Sequence, residues 1–227
     1  MTLDVQVRQA VYGHFAAKAA RPSAAEVASE VGVSAEDVVE AFARLRVQRV
    51  LFLDEDGSIR MAPPFSGVPT QHVAEVDGLR YFANCAWDSL GIPAALRAPG
   101  TVHSRCEQSG EPLRLPVGTR GPAPTDWVFH GQVPADRWWD DLVFTRANML
   151  FFRSEERVRE WCRTRDLPVR PIVRMDQLWG LAAAWYGNRL QADARRPQPA
   201  EMREIFARLG LDDAFWDPQA DRFGSAP

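Results

Sequence analysis

The chain has 227 residues, 46% of them hydrophobic and 25% charged, with a formal net charge of -3. That balance is typical of a globular protein long enough to bury a substantial core, as one domain or two small ones, and it gives no electrostatic footprint for nucleic acid or an anionic membrane. No apolar run approaches the roughly 20 residues that span a bilayer, and the opening Met1-Thr2-Leu3-Asp4-Val5 lacks a basic signal-peptide head, so no membrane association is expected and the cytoplasm is the expected compartment.

In chain order, Val5, Val7, Ala10, Val11 and Phe15 predict a first amphipathic helix, broken between Ala19 and Pro22. Ser23-x-x-Glu26 is a capping-box pattern that opens a second helix ending at Gly32. Ser34-x-x-Asp37 opens a third, with Val38, Val39, Phe42 and Leu45 inward. Val50 to Leu53, the turn Asp54 to Gly57, and Ile59 to Met61 predict a β-hairpin. Three helices and a hairpin make a winged-helix-like module over residues 1–62. Such a shape invites DNA binding, whose recognition helix turns its first residues toward base edges. Here those turns carry Glu36, Asp37 and Glu40, and the hairpin tip is Asp54-Glu55-Asp56. Carboxylates facing phosphates repel, so nucleic acid is not an expected partner. Residues 63–76, with Pro63, Pro64, Gly67 and Pro69, are expected to be a linker. In it Phe65 and Val68 either wall a pocket or simply connect.

The stretch from Asn84 to Pro93 places a thiol and a carboxylate three residues apart in an apolar segment. Tyr81, Phe82, Ala86, Trp87 and Leu90 fit one helical face, Asp77 fits an N-cap, and Gly91 followed by Pro93 fits a stop signal. On such a helix Cys85 and Asp88 share a face. A thiol beside an acid suits soft-metal binding or a nucleophile that trades protons. The carboxylate also makes the thiolate harder to form, because it disfavours a second negative charge. The same spacing fits a buried, inert cysteine and a surface aspartate.

Downstream, Thr101 to Arg105 and Leu113 to Val117 predict strands, with Cys106 read as packing. Gly118 to Thr125 is a loop, Trp127 to Phe129 a strand, and Pro134 to Asp141 a short helical or turn element. Leu142 to Phe152 reads as strand-like. Ser154 caps a charged helix through Arg165 that carries Cys162, either an exposed reactive thiol or a bystander. Val169 to Val173 predicts a strand, and Asp176 to Leu190 a helix burying Leu178, Trp179, Ala182, Trp185 and Tyr186. The tail, 197–227, adds a helix over Ala200 to Leu209 and then Phe215-Trp216. Three widely spaced cysteines without Cys-x-x-Cys argue against a disulfide framework or zinc ribbon. His14, His72, His103 and His130 show no ligand spacing, and no phosphate loop, Gly-x-Ser-x-Gly elbow or His-Glu-x-x-His is present.

The run Tyr81 to Leu96 around Cys85 and Asp88, followed by Thr101 to Pro112 with Cys106 and Gly110, resembles the core of the organomercurial (alkylmercury) lyases. The likeness continues more weakly through Leu150-Phe151-Phe152, Glu160-Trp161 and Trp179-Gly180-Leu181. It implies an α+β fold: a winged-helix-like N-terminal module packed on a mixed or antiparallel β-sheet domain with flanking helices, the catalytic part spanning 77–196. It further implies that the Cys85 thiolate attacks mercury while Asp88 handles the proton, both residues contacting the metal. No cofactor is implied, since mercury is substrate and product metal, and the partners are a small-molecule substrate and an exogenous thiol. The chain departs from the family at a second catalytic cysteine, expected just upstream of Phe151-Phe152, because Val143 to Leu150 contains none. Arg146 to Asn148 stand in that place. An arginine holds an anion and an asparagine hydrogen-bonds a polar group, so Arg146 and Asn148 are substrate-binding candidates for an anionic or zwitterionic substrate. A non-catalytic metal-binding or regulatory protein, and a biosynthetic lyase on the same fold, are the alternatives.

Overall fold

The structure is a computed structural model that describes residues 1–218. Residues 219–227, the end of the expected tail, lie outside the described residues. Among the described residues the fold is α+β, with three antiparallel sheets.

The first 66 residues form helices α1 (Leu3–Lys18), α2 (Ala24–Val31) and α3 (Ala35–Val47), then strands β1 (Phe52–Leu53), β2 (Ile59–Ala62) and β3 (Phe65–Ser66), ordered β1-β2-β3. The capping boxes at Ser23/Glu26 and Ser34/Asp37 form as the sequence predicts. Each satisfies amide groups that have no partner within the helix. The segment expected as a linker is built in: β3 lies within it, and Phe65 is fully buried, stacked on Phe15 at 5.4 Å.

Strands β4 (Val73–Val76) and β5 (Leu79–Phe82) follow, then helix α4 (Ala86–Leu96), β6 (Gly100–Arg105), β7 (Pro112–Gly118) and β8 (Gly121–Pro122). The strands form one sheet, ordered β5-β4-β6-β7-β8. The helix whose N-cap was expected at Asp77 is instead capped at Cys85, eight residues later. Asp77 and Gly78 both have positive φ, at 49° and 78°. They make the two-residue turn of the β4–β5 hairpin, where Val76 pairs with Leu79. Tyr81 and Phe82 lie on β5, and α4 runs through Gly91 and Pro93 to Leu96. Ten of its eleven residues are buried. A helix apolar on all sides is a core element, and α4 lies between two cores. Trp87 and Leu90 belong to the larger one, Ile92 to the core shared with α1–α3.

The remainder comprises β9 (Val128–Gly131), α5 (Leu142–Ala147), β10 (Met149–Phe152), α6 (Glu155–Thr164), β11 (Ile172–Arg174), α7 (Met175–Tyr186) and α8 (Pro199–Arg208), with the third sheet ordered β10-β9-β11. The strand expected over Leu142 to Phe152 is half helix. The Asp141 carboxylate caps α5 by accepting from the Phe144 N–H at 2.9 Å, and only the apolar Met149 to Phe152 joins the sheet. No helix among the described residues is long and apolar enough to cross a membrane.

Candidate active site

The site is assembled where β5 hands over to α4. Cys85 has extended backbone, φ -159° and ψ 179°, and serves as the N-cap of α4, its Sγ accepting from the Asp88 N–H at 3.4 Å. Cap geometry, rather than a shared face on a continuous helix, brings thiol and acid together. Both side chains are fully buried.

The Asp88 carboxylate is held by two hydrogen bonds and an ion pair. The Tyr186 hydroxyl donates to Oδ1 at 2.6 Å, the Arg146 guanidinium lies 3.3 Å from the same oxygen, and the Asn84 amide donates to Oδ2 at 3.0 Å. Asn84 also donates to the carbonyls of Pro64 and Phe65, both at 3.2 Å. This ties the carboxylate to the strap that leaves the N-terminal helices. The Tyr12 hydroxyl of α1 grips that strap at the Pro63 carbonyl, at 3.1 Å.

Arg146 reaches the cluster from α5. Its Nη1 lies 3.8 Å from Cys85 Sγ and 3.5 Å from Met149 Sδ, its Nη2 donates to the Tyr186 hydroxyl at 3.2 Å, and its Cζ sits 5.0 Å from the Trp87 ring centroid. Met149 Sδ is in turn 3.9 Å from Cys85 Sγ. An arginine 4% exposed is tolerable because a carboxylate pairs with it and an aromatic face lies against it. Burial alone would weaken its hold on its proton, but Asp88, then Tyr186 and Cys85, more than compensate, and its pKa stands above the usual value.

The thiol is pushed up to about 12, chiefly by burial and then by Asp88, with Arg146 and the Asp88 N–H pulling the other way. The Tyr186 hydroxyl is likewise raised well above its ordinary value by burial. At neutral pH the thiol and the phenol of the cluster are thus protonated, packed against the Arg146–Asp88 pair.

Of the residues singled out from sequence, Cys85, Asp88 and Arg146 converge. Asn148 does not, because its side-chain amide donates back to the Phe144 carbonyl at 2.9 Å and closes the end of α5. Cys106 is buried with its Sγ accepting from the Arg153 N–H at 3.4 Å, in keeping with packing. Cys162 is fully buried, 3.6 Å from His130 Nε2, which removes the exposed-thiol alternative. Sequence reasoning missed Asn84, Met149 and Tyr186 as members of the cluster. A tyrosine on the buried face of α7 signals a hydroxyl in need of a partner, but nothing local says that the partner is 98 residues away. Among the described residues no three His, Cys, Asp or Glu side chains group as ligands for a metal.

Comparison with known proteins converges on one class. The family model described as alkylmercury lyase matches residues 65–187, more than half of the chain, and the chain belongs to the alkylmercury lyase family. Among curated relatives, the alkylmercury lyase of Staphylococcus epidermidis is 34% identical over 143 residues, covering 60% of this chain and 62% of its own length. That of Streptomyces lividans is 47% identical over 49 residues, covering 22% of this chain and 23% of its own. The chain thus spans less than two thirds of the length of these relatives. Among solved structures, the mercury-bound form of MerB2 shares the fold with a TM-score of 0.66 at 22% identity, covering 84% of this chain and 91% of its own.

Proposed function

We propose that the protein is an organomercurial-lyase-like enzyme that cleaves a carbon–mercury bond, or a related carbon–heteroatom bond, by protonolysis with Cys85 and Asp88. The observation that carries this reading is a protonated thiol sharing a buried cluster with a carboxylate, an arginine and a tyrosine. In the reaction, Cys85 sulfur bonds to mercury as its proton passes to Asp88. Asp88 then delivers that proton to the carbon, the carbon–mercury bond breaks, and the hydrocarbon leaves while mercury stays on sulfur. The thiol proton becomes the new C–H hydrogen, so the step balances without a cofactor. An external thiol removes the mercury and resets the site. Arg146, beside both sulfur and acid, offsets the negative charge that appears when the thiol proton is lost.

Two protein ligands are too few for a tightly held resident metal, which favours turnover over storage. A cytoplasmic setting suits this chemistry, because it keeps thiols reduced and supplies external ones. The test is purified protein with methylmercury and excess thiol, with headspace methane as readout. Cys85→Ala is expected to abolish methane release, and Asp88→Ala to slow it by roughly 100- to 10,000-fold, the usual contribution of a positioned acid or base. Full activity in either variant, or no methane from the wild type, refutes the assignment.

A further inference from the structure

Between α1, the end of α3, and the segment that follows α7 lies a cavity of about 200 Å³. Arg146 and Tyr186 form part of its wall, so it adjoins the Cys85 cluster directly. Its lining carries six arginines, Arg8, Arg49, Arg146, Arg189, Arg195 and Arg196, against one carboxylate, Asp4. Asp4 is committed to Arg44 at 2.9 Å, Arg195 to Glu201 at 2.6 Å, and Arg146 to Asp88. Arg8 donates to the carbonyls of Gln191 and Arg189.

Other donors in this lining are not satisfied. Arg49 Nη1, Arg189 Nε and Arg146 Nε are buried and meet no acceptor. Arg189 is only 8% exposed and Arg146 only 4%, and leaving a charged donor dry and unpaired is costly. The crowding is felt by Arg196, whose pKa falls to about 10 through burial, then Arg49 and Arg189. Aromatic surface fills the space between the cations, from Tyr12, Trp139, Trp185 and Tyr186. A cavity lined by six arginines against one committed carboxylate, with flat aromatic walls, is complementary to a small, flat anion.

We propose that this cavity binds the carboxylate of a small organic substrate, with Arg49 and Arg189 as its anchors and Arg146 facing the reacting end. This rests on the lyase reading for the chemistry, and it adds to that reading a preference for carboxylate-bearing substrates over simple alkylmercury compounds, which the site still turns over. A planar, two-oxygen anion matches the guanidinium fork. Arg146 lies in the stretch, Arg146 to Asn148, that stands where the family resemblance calls for a second thiol, so a cation that orients an anionic substrate takes the part of a second metal ligand.

The test is calorimetric titration of benzoate and its neutral isostere benzamide into the wild-type protein and into Cys85→Ala, where no chemistry can follow binding. Benzoate is expected to bind both proteins roughly ten-fold or more tightly than benzamide, the contribution of one charge-assisted contact. Arg189→Gln, and independently the half-buried Arg49→Gln, should each weaken benzoate by about that factor while leaving benzamide unchanged. Benzoate binding no tighter than benzamide, or unchanged in both arginine variants, overturns the proposal. Failure of the lyase reading appears separately, as absence of methane from methylmercury, which carries no carboxylate.

Discussion

Replacing Arg146 with methionine removes one charge from the buried cluster while keeping much of its apolar stem. Asp88 would retain the Tyr186 hydroxyl and the Asn84 amide, but its charge would lose the guanidinium 3.3 Å away. Removing one partner of a buried ion pair costs about 3–5 kcal/mol, because the surviving charge is left without compensation. For a domain of this size that is a drop of roughly 6–20 °C in melting temperature, at about 2–4 °C per kcal/mol. The informative measurement is a double-mutant cycle with Asp88→Asn, followed by urea unfolding. Trp87, whose ring faces the guanidinium, offers an intrinsic fluorescence probe. If the two charges stabilise each other, the double variant, with neither charge left, is more stable than the sum of the single losses by about 1–3 kcal/mol. Strict additivity would show that the pair is incidental to the fold and would remove the electrostatic basis for grouping Arg146 with the site.

A Cβ added at Gly91 would sit 2.4 Å from Tyr186 Cδ2 and 2.8 Å from Cε2. Gly91→Ala should therefore destabilise by about 1–3 kcal/mol through overpacking and, by moving the phenol off Asp88, slow methane release more than the residual folded fraction explains; unchanged turnover would show that the Tyr186–Asp88 contact is dispensable. All three cysteines are free and buried, so the native protein should resist iodoacetamide while the urea-unfolded chain labels at all three, and labelling of Cys162 in the folded protein would contradict its placement. With the native Cys85 thiol at about 12 and an unfolded thiol near ~8.5, the native state binds more protons between those values. Stability then falls as pH rises through that window, and Cys85→Ala should flatten the alkaline limb in urea titrations across about pH 8 to 11.

Local chemistry wrote much of the fold into the sequence. The capping patterns at Ser23, Ser34 and Ser154 opened helices where they stood, because a side-chain oxygen satisfying backbone amides is a short-range matter. The nearness of Cys85 to Asp88 was legible from their spacing, though the expected reason, a shared face on a helix begun at Asp77, gives way to Cys85 acting as the N-cap of α4. The start of α4 was not legible. The apolar run Tyr81 to Leu90 fits helical spacing as well as it fits a strand followed by a buried helix, and periodicity does not separate the two. What decided it was pairing with β4, whose partner β6 lies beyond the helix.

By itself, then, the sequence determined a thiol and an acid three residues apart in an apolar segment, the helical N-terminal module, and a stretch, Arg146 to Asn148, with no cysteine where a second thiol was due. Tertiary structure alone decided that Arg146 turns inward onto that acid, that Tyr186 reaches it from α7, and that Asn148 turns away. It also decided that arginines from α1, the turn after α3, α5 and the segment after α7 surround one cavity. Charge neutralisation and the satisfaction of buried donors depend on which distant surfaces meet, and residue spacing along the chain does not encode that.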